Sequence, residues 1–116
     1  MSLMTNGFVE LVDTASLDRF IAESNHDPAI IFKHSNSCGI SASAYTEMTR
    51  VRQRVGIITV QKARALSEEV VKRFGVEHES PQVLIVKDGK VTWTASHGRV
   101  RAEAVEKAAG SNHHTE

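Results

Sequence analysis

The chain has 116 residues, 41% of them hydrophobic and 24% charged, proportions of a globular protein that exclude wholesale disorder, collagen and coiled coil. Lys and Arg (14) balance Asp and Glu (14), so no positive surplus is there to hold a phosphate backbone, and a general nucleic-acid binder is excluded. No apolar run reaches the roughly 20 residues that span a bilayer, so no membrane partner is expected either.

Phe8, Val9 and Leu11 open the pattern as a short strand. Asp13 and Thr14 offer oxygens to a helix N-terminus, and Leu17, Phe20 and Ile21 follow at helical spacing, which predicts a helix over 14–24. Pro28 ends that element. Ala29, Ile30, Ile31 and Phe32 form a continuous apolar run, as a strand covered on both faces requires; Lys33 to Ser37 then read as a polar loop leading to Cys38. From there Ile40, Ala44, Met48 and Val51 recur every three or four residues, a second helix whose apolar stripe they form. Residues 55–60 (VGIITV) predict another buried strand. Over 62–74 a helix is expected to bury Ala63, Leu66, Val70 and Phe74, to carry the pairs Glu68–Lys72 and Glu69–Arg73 outside, and to end at Gly75. Residues 82–86 (QVLIV) and the alternating 91–95 (VTWTA) flank Asp88-Gly89, the signature of a tight hairpin turn. A last helix over about 99–109 uses Val100, Ala104, Val105 and Ala108.

The order β-α-β-α-β-α-β-β-α demands right-handed parallel crossovers first and an antiparallel hairpin last. The fold class is therefore α/β, with a mixed sheet of four to five strands between helices on both faces, the three-layer layout of thioredoxin. A single domain is expected over 8–109 between flexible termini at 1–7 and 110–116, with residues 1–3 a leader ahead of Met4. The N-terminus is polar and carries no secretory signal pattern, so a cytoplasmic location is expected.

There is one cysteine, which rules out an intramolecular disulfide and a metal centre of several thiolates. Taken alone, a single cysteine is a small buried hydrophobe. Its place between a buried strand and the first turn of a helix points elsewhere. The unpaired N–H groups and positive end of that helix favour the thiolate, the nucleophilic form. Ser41 stands three residues on, where a redox helix carries its second sulfur; a hydroxyl there can donate to a thiolate or help cap the helix, but cannot close a disulfide. Ser80-Pro81 precede the QVLIV strand. Pro81 is either a trans strand-starter or, in the thioredoxin layout, a cis proline facing the cysteine, with Ser80 a substrate contact. Lys33, His34, His78 and His97 either add positive charge near the sulfur and hold an anionic substrate or lie at the surface as ordinary polar side chains. The six histidines show no metal-binding spacing, and the glycines no phosphate-binding pattern.

Three separated blocks, FKHSNSCGIS at 32–41, HESPQVL at 78–84 and KDGKV at 87–91 with Ala95-Ser96-His97, together resemble the YtxJ-type monothiol bacilliredoxins, and the likeness extends over about 8–109. The resemblance implies a cytosolic thioredoxin-like oxidoreductase with no tightly bound cofactor, whose cysteine removes the low-molecular-weight thiol bacillithiol from mixed disulfides. Its partners would be S-thiolated client proteins and the small thiol as co-substrate, and it would work as a monomer or weak dimer. By position, Cys38 would be the nucleophile, Ser41 the replacement for a resolving cysteine, and Ser80-Pro81 the cis-proline site. Gly39 stands where the family usually has proline, and Gly98 where it often has an aromatic. Cys38-Gly39-Ile40-Ser41 is also similar to the motif of monothiol glutaredoxins, which carry an iron–sulfur cluster, but residues 78–82 do not match their proline block. A cluster carrier and a thioredoxin-fold interaction protein with an inert cysteine are the alternatives.

Overall fold

The computed structural model describes residues 8–24, 27–37 and 39–110. The flexibility expected of 1–7 and 110–116 falls outside those residues except at Gly110, whose N–H donates to Lys107 O at 3.1 Å. The elements run β1 (Phe8–Glu10), α1 (Thr14–Ser24), β2 (Ala29–His34), α2 (Gly39–Met48), β3 (Val55–Thr59), α3 (Arg64–Phe74), β4 (Gln82–Lys87), β5 (Lys90–Ser96) and α4 (Ala102–Ala108). They build one five-stranded sheet in the order β1-β3-β2-β4-β5. β1, β3 and β2 are mutually parallel; β4 runs antiparallel to β2, and β5 antiparallel to β4.

Alternation along the strands splits the apolar residues between two layers. Ile30, Phe32, Val55, Ile57, Val83 and Ile85 face α2 and α4, meeting Ala44, Met48 and Val105. Ala29, Ile31, Ile58, Leu84 and Val86 face α1 and α3, meeting Leu17, Phe20, Leu66 and Val70. β2 is thus buried on both sides, which is why its sequence is a continuous apolar run. Gly56 has a packing reason: a Cβ there would lie 2.7 Å from Leu11 Cδ1 and 2.9 Å from Phe20 Cε2, so any side chain must displace both.

The local signals act as chemistry predicts. Asp13 Oδ1 accepts the Ser16 N–H at 2.9 Å, and Ser16 Oγ accepts the Asp13 N–H at 3.1 Å, so the two ends of the first turn of α1 cap each other. Gly75 takes φ 69° and its N–H donates to Val71 O, closing α3 in the left-handed conformation. Asp88 (φ 54°) and Gly89 (φ 80°) supply the two positive φ angles of the β4–β5 turn. Of the two pairs expected on α3, Glu69–Arg73 is formed and is joined by Asp18 of α1.

Three boundaries and one buried face that bear on the site differ from expectation. β2 continues through Lys33 and His34, because both pair with β3 and Lys33 also with β4. α3 begins at Arg64; Lys62 and Ala63 both donate to Thr59 O in the preceding turn. The last helix is shorter: His97 takes φ 54°, a 3-10 turn covers His97–Arg99, and α4 starts at Ala102, whose N–H donates to Glu47 Oε1 of α2 at 2.8 Å. The buried face of α2 is Ser41, Ala44 and Met48, leaving Ile40 52% exposed.

Candidate active site

The sheet topology gathers the candidate residues at one end. β2, β3 and β5 finish there and β4 begins there, as the pairings His34–Thr59, Lys33–Gln82 and Gln82–Ser96 show. Three of the segments at that end are therefore the one from β2 to α2 holding Cys38, the one from β3 to α3, and the one from α3 to β4 holding Ser80-Pro81; the turn after β5 with His97 is the fourth. Cys38 itself lies outside the described residues; its neighbours Ser37 and Gly39 are both exposed.

The segment before Cys38 is held from two sides. Ser41, with no exposed surface although it lies in the first turn of α2, accepts the Ser35 N–H on its Oγ at 3.1 Å. From the end of β3, Gln61 Oε1 accepts the Asn36 N–H at 3.0 Å, while its Nε2 donates to Ser35 Oγ at 2.9 Å and to Ser37 Oγ at 3.2 Å. The Val60 N–H donates to His34 O at 2.8 Å just below. Sequence reading did not single out Gln61, although it sits two residues beyond the β3 strand in the stretch matched to the family.

The segment before β4 is braced as firmly. The Ser80–Pro81 peptide bond is cis. Gln82, 3% exposed, donates from Nε2 to Glu77 O at 3.0 Å. The His97 N–H donates to Pro81 O at 3.0 Å, and His97 Nε2 lies 3.4 Å from Glu79 Oε1 in a half-exposed pair that contributes little to stability. Ser80 Oγ is shielded from solvent with no hydrogen-bond partner among the described residues.

Lys33 and His34 alternate to opposite faces. His34 sits on the α2 side, its ring 5.0 Å from Tyr45 and 5.7 Å from Phe32. Burial holds its pKa below the ordinary value of 6.5, so it is neutral at pH 7 rather than a source of positive charge. Lys33 points the other way and has no exposed surface with which to meet a substrate. Its Nζ lies 3.2 Å from His78 Nδ1, with Ser67 Oγ of α3 3.4 Å from the same nitrogen. An ammonium has only donors, so Nδ1 is the acceptor and the His78 proton sits on Nε2. Desolvation first, then the Lys33 charge, lowers the His78 pKa.

Burial also pulls Lys33 from 10.5 down to about 8. The unfolded chain keeps that proton up to about pH 10.5, so between about pH 8 and 10.5 it binds more protons than the folded one, and stability rises with pH across that window. Each unit of such depression corresponds to about 1.4 kcal/mol. Thermal unfolding of the protein and of Lys33→Met at pH 7, 8, 9 and 10 checks this: the variant should lose the alkaline rise and be no less stable at pH 7. An unchanged slope in Lys33→Met would assign the rise to other groups.

Among the described residues, no group of His, Cys, Asp or Glu gathers to hold a metal ion, and no helix is long and apolar enough to cross a membrane. The fold is that of thioredoxin. A thioredoxin-fold protein taken to be an oxidoreductase superposes with a TM-score of 0.80 at 28% identity, covering 87% of this chain and 92% of its own. Mitochondrial thioredoxin 3 of Saccharomyces cerevisiae matches at 0.68 and 16% identity, covering 92% of this chain and 97% of its own. A thioredoxin variant from Halobacterium salinarum NRC-1 matches at 0.66 and 17%, with 96% and 95% covered. Residues 9–105 match the family model described as monothiol bacilliredoxin BrxC.

Proposed function

The chain belongs to the monothiol bacilliredoxin family, and on that footing we propose that it removes bacillithiol from mixed disulfides of client proteins in the cytoplasm, with Cys38 as nucleophile. The thiolate attacks the bacillithiol sulfur. A bond forms between Cys38 and that sulfur, the original disulfide breaks, and the client sulfur departs with the bonding electron pair and takes a proton from water. A second bacillithiol then attacks the adduct as a thiolate, giving free Cys38 and the bacillithiol disulfide.

The observation that carries this reading is Ser41. It is fully buried in the first turn of α2 at the C-x-x-S spacing, its oxygen engaged by the Ser35 N–H. In that position a hydroxyl supports the segment before the cysteine and cannot resolve the adduct, so resolution requires an outside thiol. By its place in the family pattern, the backbone of Ser80 would pair with the client as an added strand does, while His97 stands at the rim of the same end.

Intact-mass measurement tests the proposal. After mixing with a client protein carrying one bacillithiol, the protein should gain the mass of one bacillithiol on its single cysteine while the client loses it, and added bacillithiol should clear the adduct. A client that keeps its bacillithiol would overturn the reading, and transfer only from glutathione-bearing clients would overturn the choice of small thiol.

A further inference from the structure

We propose that Gln61 is a positioning residue of this reaction, splinting residues 35–37 and thereby setting the reactivity of the thiol that follows them. The inference rests on Cys38 being the nucleophile, and adds to it the side chain that shapes the approach to it.

Both ends of the Gln61 amide are engaged. Its oxygen takes the Asn36 N–H, and its nitrogen serves the hydroxyls of Ser35 and Ser37 at 2.9 and 3.2 Å. Ser35 Oγ in turn accepts the Ser37 N–H at 3.4 Å, so the amide closes a small ring of polar contacts around the loop. Gln61, Asn36 and Ser37 are all exposed, and none of the three belongs to either apolar layer. Ordering a long side chain at the surface loses rotamer freedom, and exposed hydrogen bonds return little to global stability. Three of them converging on one loop therefore serve local shape. Among the described residues, Ser41 and Gln61 are the side chains from outside the segment that bond to the backbone of 35–37. Freed of Gln61, the loop would sample several conformations, and a thiol delivered by it would spend less time where the start of α2 stabilises its anion.

Gln61→Leu keeps a branched side chain, one atom shorter, and removes all three contacts. Because the chain has one cysteine, alkylation reads that thiol without any substrate. Iodoacetamide modification across pH 5–10 should show the variant reacting about tenfold more slowly at pH 7, with its midpoint moved upward, while the thermal midpoint of unfolding stays with the parent's. In the mixed-disulfide assay kcat should fall by a similar factor with KM nearly unchanged. Alkylation at the parent rate and midpoint would overturn the proposal, as would a lowered unfolding midpoint with unchanged alkylation, the mark of a merely structural residue. If the unsubstituted protein takes no bacillithiol yet Gln61→Leu still shifts the alkylation profile, the substrate reading fails and the positioning role stands.

Discussion

Cys38→Ser should bring transfer of the small thiol to the uncatalysed background and leave no residual burst. The reason is chemical rather than structural. Disulfide exchange needs a thiolate, and a serine hydroxyl, which does not ionise near neutral pH, cannot replace it. No second cysteine exists to take over, so partial rescue by a neighbouring thiol is impossible. The substitution changes one atom, and the circular dichroism spectrum and unfolding midpoint should match the parent's. Retention of more than a few per cent of the transfer rate would show that the chemistry lies elsewhere.

Phe32→Ala should cost about 3–5 kcal/mol of unfolding free energy, the range found when a buried aromatic is truncated and the void stays open. Phe32 has no exposed surface and sits where β2 meets α2. Its ring meets Phe8 edge-on at 6.2 Å and stands 6.4 Å from Tyr45 and 5.7 Å from His34, so one truncation removes a partner from three others. A domain of this size has roughly 5–15 kcal/mol in all, so the loss is a large fraction of it. Urea denaturation should show the midpoint falling steeply at unchanged slope. A loss below about 1 kcal/mol would mean that the layer collapses into the space.

The two substitutions separate the two things β2 does. Phe32 anchors the strand in the layer beneath α2, and the chain beyond His34 leads to Cys38, the nucleophile of the proposed reaction. A change in the first reduces the folded population; a change in the second leaves the fold and removes the reaction. The buried Lys33 on the opposite face belongs to neither group, and its amine binds the end of β2 to His78 in the segment before Pro81.

Elements with local signals could be read directly from the order of residues. Both residues of the β4–β5 turn, the left-handed Gly75 and the Asp13 cap of α1 act over a few bonds, so they are legible without tertiary context. The double burial of β2 was equally plain, since only a strand covered on both faces has no polar residue from Ala29 to Phe32. The remaining features depend on how distant elements pack. Ile40 and Ser41 lie four and three residues before Ala44, both helical spacings, and only the way α2 lies on the sheet chose the serine for burial. Lys33 reads as the start of a polar loop until β3 and β4 pair on either side of it and α3 closes over it. The grip of Gln61 on Asn36 joins residues 25 apart, brought together because β2 and β3 are parallel neighbours ending at the same edge. Periodicity records which face of an element is apolar, whereas contacts between the ends of different elements depend on the order of strands in the sheet, which no local pattern encodes.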